Sequence, residues 1–265
     1  CGGPYQLTFD SVDFNQEGVV SAVLDLLHDY PLPAASSVVI KNYHYSGGSI
    51  HRILHAFFVP ASGVSRLTVV SLTHGDREYD TRQWLKVIGM GLKSSTSCLQ
   101  YLHLQLRYLS DEGGYTLKEA IADSKSLKTL SFHGTRIERN AVYVLSEALL
   151  GNTSLESVTF AASQLEDCEF AVLVRGIKDH PTIKKFGVDM AACKAQTLVA
   201  LASALESPKC QIEELDLRPS TNRRSASDQN HQHTTGSDGN NNNDNDGEVS
   251  SNTRGNQEEE AFQTL

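Results

Sequence analysis

The chain has 265 residues, with 23 lysines and arginines against 32 aspartates and glutamates, a formal net charge of −9 and 39% hydrophobic residues. This length and apolar share support one or two cored domains. A negative balance without a clustered basic stripe excludes a nucleic-acid or anionic-membrane surface, and the apolar runs are too short and interrupted to span a bilayer.

In chain order, the first predicted strand carries Leu7 and Phe9, the second Ala35, Val38 and Ile40, and the third Leu67, Val70 and Leu72. Between them, Val19 to Leu27, Ile50 to Phe58 and Trp84 to Leu92 keep the apolar spacing of amphipathic helices. Ser46-Gly47-Gly48-Ser49, ahead of the second helix, reads as a turn and N-cap, because no GK[ST] follows to make a phosphate loop. His51 and His55 have the spacing of a helical zinc pair. Arg52, however, stands where a metalloprotease needs its glutamate, and its charge opposes a bound cation, so no metal is expected there.

From Leu99 onward one pattern recurs: Leu99-Leu102-Leu104, Leu127-Leu130-Phe132, Leu155-Val158-Phe160, Ile183-Phe186-Val188 and Ile212-Leu215-Leu217, at intervals of 28, 28, 28 and 29 residues. With the first apolar residue as position 1, position 11 holds Leu109, Ile137, Leu165 and Cys193. Positions 19 and 23 hold Leu117 and Ile121, Leu145 and Leu149, Leu173 and Ile177, and Leu201 and Leu205. Alternation at positions 4 and 6 is the period of a half-buried strand, and the step from 19 to 23 is one helical turn. Each unit is therefore strand, loop, helix, and eight parallel strands are expected in all. A fixed period of this kind means that each unit buries its apolar face against its neighbours. The chain opens at Cys1 inside a unit with no polar capping unit before it, which implies a piece of a longer protein.

The series LQYLHLQLRYL at 99, LKTLSFHGTRI at 127 and LESVTFAASQL at 155 resembles the leucine-rich repeat family, and units of 28 and 29 residues with a full helix resemble its ribonuclease-inhibitor subclass. The resemblance covers roughly residues 4 to 218. It implies an α/β fold: a right-handed solenoid, horseshoe-shaped, with parallel strands on the concave face and helices on the convex face. Position 9 departs from the family, which favours Asn or Cys there; this chain has Val12, Tyr43, Gly75, Arg107, Thr135, Ser163, Ala191 and Ser220. Thr and Ser can bond turn backbone weakly, whereas Arg107 and Ala191 cannot do so in the same way.

Strands sit about 4.8 Å apart and packed helices about 8 to 10 Å apart, so such a stack curves with its strands inside, and eight strands give about 34 Å of inner arc. That wall suits a folded protein or a long peptide. Its outward positions 3, 5 and 7 include Val69, Ser71 and Thr73 from the third strand. The bulky members Tyr101, His103, Gln105 and His133, with the charged Lys185, Asp189, Glu214 and Asp216 toward the C-terminal end, are the candidate partner-binding residues.

The five cysteines, at 1, 98, 168, 193 and 210, form no CxxC pair and point to a reducing, cytoplasmic setting. Cys193, at a core position, reads as a small hydrophobe. Asn152-Thr153-Ser154 matches a glycosylation sequon that matters only in a secreted chain. Residues 1–218 form the expected repeat domain, and 219–265, rich in Ser, Asn, Asp, Gly and Gln, a disordered tail. Within that tail, Asp244, Asp246 and Gly247 mimic a calcium loop whose bidentate glutamate is replaced by Thr253. No nucleophile elbow or Cys–His pair is present, so the expectation is a non-enzymatic protein-binding module without cofactor or metal. The resemblance also implies an alternative, a GTPase regulator of the Ran GTPase-activating type or a ligand-sensing innate-immune repeat domain. Arg107 is the residue to test for the first of these.

Overall fold

The structure, a computed structural model, describes residues 5–30, 32–33, 36–41, 49–58, 64–70, 78–94, 96–163, 165–189 and 193–218. Internal contacts divide the chain into Cys1–Arg223 and Arg224–Leu265. The expected tail with its calcium-loop mimic, Cys1, the Ser46-Gly47-Gly48 turn, the side chain of His51, and the position-9 residues Tyr43, Gly75, Ala191 and Ser220 lie outside the described residues.

Strands and helices alternate: β1 (Gln6–Asp10), α1 (Glu17–Asp29), β2 (Ser36–Lys41), α2 (Ser49–Phe57), β3 (Val64–Val70), α3 (Glu78–Lys93), β4 (Tyr101–Gln105), β5 (Tyr108–Leu109), α4 (Asp111–Asp123), β6 (Thr129–His133), β7 (Arg136–Ile137), α5 (Arg139–Gly151), β8 (Ser157–Ala161), α6 (Asp167–Ile177), β9 (Lys185–Asp189), α7 (Ala195–Leu205) and β10 (Glu214–Arg218). Eight strands form one sheet in the order β1-β2-β3-β4-β6-β8-β9-β10, and every neighbouring pair is parallel. Sheet order thus follows chain order, and each helix packs on the next, from α1 on α2 through α6 on α7.

The core lies between sheet and helices. From β4 to β9 positions 4 and 6 are sealed: Leu102, Leu104, Leu130, Phe132, Val158, Phe160, Phe186 and Val188 are buried, and so are Leu117, Ile121, Leu145, Leu149, Leu173 and Ile177 from the helices; Leu7, Leu215 and Leu217 on the edge strands are partly buried. Each such side chain contributes about 1.5 to 3 kcal/mol of burial. Phe132 and Phe160 stack across β6 and β8 with centroids 5.4 Å apart. The helices close tightly: a Cβ on Gly114 would stand 2.7 Å from that of Ala141, so α4 and α5 meet where glycine leaves room.

Three features depart from the sequence reading. The third strand is set three residues earlier than expected. Leu67 pairs with Val38 and Leu102, and Val69 with Ile40 and Leu104, so Val64, Leu67 and Val69 face the core, all fully buried. Val64-Leu67-Val69 satisfies the same template as Leu67-Val70-Leu72, and equal spacing favoured the wrong one. The outward residues of β3 are therefore Arg66, Thr68 and Val70, not Val69, Ser71 and Thr73, the last two lying outside the described residues. Second, Leu205 is 47% exposed rather than packed inward, because α7 has α6 on one flank and β10 is the sheet edge. Third, a second, two-stranded parallel sheet, β5 with β7, was not anticipated; it carries the position-11 residues Leu109 and Ile137.

Candidate partner-binding face

The register brings one column, Gln6, Ser37, Arg66, Tyr101, Thr129, Ser157, Lys185 and Glu214, into line across the face of the sheet turned away from the helices. At its centre Arg66 lies over Tyr101, its Cζ 4.4 Å from the ring centroid, a cation–π contact between neighbouring strands. Tyr101 is thus presented as half of an Arg–Tyr plate. The sequence reading missed Arg66 because of the three-residue slip.

In the next two columns, the His103 Nδ1 and Ser131 Oγ share a 3.1 Å hydrogen bond, and the His103 and His133 rings lie 6.1 Å apart. Burial, and then the charge of His133, push the His103 pKa below its ordinary value. A serine bonded to a histidine invites a nucleophilic reading, but the ring beside His103 is His133, not the carboxylate that orients a catalytic base. Gln105 is half-buried at the end of β4.

Charges collect at the two ends and are largely satisfied there. Lys41 pairs with Asp10 at 2.9 Å, and Lys185 with Glu214 at 2.5 Å. Asp216 is half-buried on β10. Asp189 differs from expectation: it is 4% exposed and engaged within the fold, and the Cys193 thiol donates to its carbonyl at 3.2 Å. Burial, then Asp167 and Asp189, raise the Cys193 pKa, consistent with a packed thiol. Of the candidates, Tyr101, His103, Gln105 and His133 share one patch. Lys185, Glu214 and Asp216 form a separate edge, and Asp189 belongs to neither.

The turns beyond the strands explain how the face is held without Asn or Cys at position 9. Thr135 is buried, and its Oγ1 accepts from Leu106 N at 3.1 Å, so the turn carrying Arg107 is satisfied by the following unit. Ser163 is also buried, its hydroxyl 3.5 Å from the Ala161 carbonyl. Arg107 itself is exposed.

A second polar layer lies on the other side of the core. Asn152 is fully buried, donating to the Ile121 and Ser124 carbonyls at 2.6 and 3.1 Å while its Oδ1 accepts from Ser154 N and Leu155 N, both at 2.7 Å. This removes the sequon from the folded surface. One unit later His180 repeats the role: its Nδ1 accepts from Ile183 N at 3.1 Å. Burial lowers the His180 pKa, partly opposed by the Leu149 and Asn152 carbonyls, which act on the ring without reaching hydrogen-bond geometry at Nε2.

Among the described residues, no group of three or more His, Cys, Asp or Glu side chains is placed to hold a metal ion, and no helix is long and apolar enough to cross a membrane. His55, half of the supposed zinc pair, is an exposed residue of α2, and Arg52 beside it pairs with Glu17 of α1.

No protein-family model matches the chain, and no curated protein sequence does. Among solved structures, one described as leiomodin-1 actin-binding site 2 (ABS2) is similar over 47% of this chain and 74% of that chain, at 15% identity and a TM-score of 0.39. Likeness of that degree carries no functional argument.

Proposed function

We propose that the chain is a non-enzymatic protein-binding module of leucine-rich repeat type, a right-handed solenoid whose strands line the inner wall of a horseshoe and take a partner protein there. One observation carries this reading. The middle of the sheet's outward face is polar, with a flat aromatic plate and two imidazoles held by neighbours, while the ends of the same face spend their charges on each other. Curvature follows from the mismatch between strand spacing of about 4.8 Å and helix spacing of about 8 to 10 Å. A reducing, cytoplasmic setting is part of the proposal: the described cysteines, Cys98, Cys168, Cys193 and Cys210, are all free thiols, and the sequon is buried.

The test is affinity capture from native extract with paired variants. Tyr101→Ala and His103→Ala are expected to release the captured protein at least about tenfold, as anchors do, without shifting the unfolding midpoint. Met90→Ala and Tyr115→Ala, exposed on the helix side, are expected to leave capture intact. Loss with the helix-side pair and retention with the sheet-side pair would overturn the assignment.

A further inference from the structure

The outward positions of β3, β4, β6 and β8 carry no carboxylate; their charged or titratable members are Arg66, Tyr101, His103 and His133. In a chain of net charge −9 this composition runs against the average surface. Just past the C-terminal ends of β4 and β6, Arg107 and Arg136 are exposed, and among the described residues neither guanidinium has a hydrogen-bond or ion-pair partner. Among the described residues, Lys41, Lys128 and Lys185 are neutralised by Asp10, Glu156 and Glu214.

Among the described residues, the carboxylates flanking these strands are committed or distant. Glu156 holds Lys128 at 2.8 Å. Glu138, beyond Arg136, accepts from the Tyr108 hydroxyl and from Asp111 N at 2.6 Å. Asp189 is buried, two strands from His133, about 10 Å at ordinary strand spacing. Asp10 lies three strands from His103, bonded to Lys41. Among the described residues, Arg107 and Arg136 are thus exposed cations whose guanidinium groups have no hydrogen-bond or ion-pair partner, in the segments that follow β4 and β6.

We propose that this central patch binds an acidic peptide segment of the partner protein, its carboxylates meeting Arg107, Arg136 and the His103–His133 pair while the Arg66–Tyr101 plate packs against its backbone. The proposal rests on the protein-binding reading above and adds the charge of the ligand. Electrostatic complementarity of this kind shows in association rate and salt dependence more than in contact area. Burial and then His133 lower the His103 pKa, whereas a carboxylate bound beside the ring favours its charged form, so binding is coupled to proton uptake as pH falls.

The experiment uses the full 265-residue chain and fluorescence anisotropy with labelled oligo-glutamate, oligo-glutamine and oligo-lysine peptides of equal length. Oligo-glutamate is expected to bind at least about tenfold tighter than the other two at low salt, to weaken steeply as salt rises, and to tighten several-fold between about pH 7.5 and about pH 5.5. The surface double variant Arg107→Glu/Arg136→Glu is expected to lose about tenfold or more, and His103→Gln/His133→Gln to lose the pH increment. Equal or tighter binding of the glutamine or lysine peptide, still sensitive to Tyr101→Ala, would overturn the acidic ligand and leave the protein-binding face standing. Oligo-glutamate binding that survives both double variants but falls with Arg175→Glu/Lys178→Glu on the helix side would overturn both.

Discussion

The first three strand–helix units and the later ones use the same core template but are held in register differently. From Leu7 through Val38 and Leu67 to Leu102, paired core positions are 31, 29 and 35 residues apart; from Leu102 to Leu215 they are 28, 28, 28 and 29 apart. Where the spacing is constant, side chains bond the backbone of the neighbouring unit at fixed offsets. Asn152 reaches Ile121 and Ser124, Ser154 reaches Leu127 at 2.9 Å, and Thr182 reaches Leu155 at 2.6 Å. Asp111 and Asp167, each the first residue of a helix, accept from the N-terminal amides of the next helix, at Ala141 and at Gln196 and Thr197. These bonds need one unit length, because insertion of a residue would move donor from acceptor. Among the described residues of the first region, the comparable buried bonds are those of Ser36, from its hydroxyl to Pro33 at 2.7 Å and from Tyr5 N at 3.4 Å. Apolar packing tolerates variable loops, and a hydrogen-bonded ladder does not.

The largest effect should come from breaking the irregular region at its register. Val69→Asp places an unpaired carboxylate at a fully buried position and is expected to cost about 4 to 5 kcal/mol, enough to unfold the first region. Arg66→Asp, three residues earlier and exposed, is expected to cost under about 1 kcal/mol. Denaturant melts of the two variants decide the frame: comparable losses, or a tolerated Val69→Asp, would restore the later setting of the strand. Next, Asn152→Ala strands two carbonyls and two amides inside the regular region and is expected to cost about 3 kcal/mol. Ser36→Ala in the irregular region is expected to cost about 1 kcal/mol. If the two melts agree within error, the ladder is not what separates the regions.

The sequence made the alternating architecture legible because positions 1, 4 and 6 are buried in every unit from Leu99 to Val188 by the same sheet-to-helix gap. It failed at β3 because Leu67, Val69, Val70 and Leu72 offer apolar residues of both parities, and only pairing with β2 and β4 chooses between them. Of the candidate face, Tyr101, His103, Gln105 and His133 were readable from alternation alone. Arg66 followed β3 out of frame, and Asp189 was misplaced because alternation says which side a residue takes, not how deeply it is buried there. Asn152 was visible only as a sequon, although Ser124, Asn152 and His180 stand 28 residues apart, a polar column that constant spacing could have exposed.

The smallest effect is also the most specific, since it isolates capping between units from core packing. Lys194, at the N-cap of α7, makes no side-chain cap; instead Asp167 accepts from Lys194 N at 2.8 Å, Gln196 N at 2.9 Å and Thr197 N at 3.0 Å. Burial raises the Asp167 pKa, but the Thr197 amide and hydroxyl and the Gln196 and Lys194 amides outweigh it and hold it at about 2, below the ordinary 3.8. A depressed carboxylate contributes stability that is fully present above its unfolded pKa and disappears as pH falls through the folded one. Asp167→Asn, which cannot carry the charge and turns an NH2 group toward the same amides, should therefore be less stable than the parent chain at about pH 6. The gap should narrow from about pH 4 downward and close near pH 2. In the first region α1 offers the contrast: its N-cap residue Gln16 makes no side-chain cap bond and holds only an exposed, long contact from Nε2 to Asp13 at 3.4 Å, so Gln16→Ala should shift stability little at any pH. Thermal melts of both variants across that range measure it, and a pH-independent deficit in Asp167→Asn would mean that the carboxylate contributes shape to the helix junction and its charge contributes nothing.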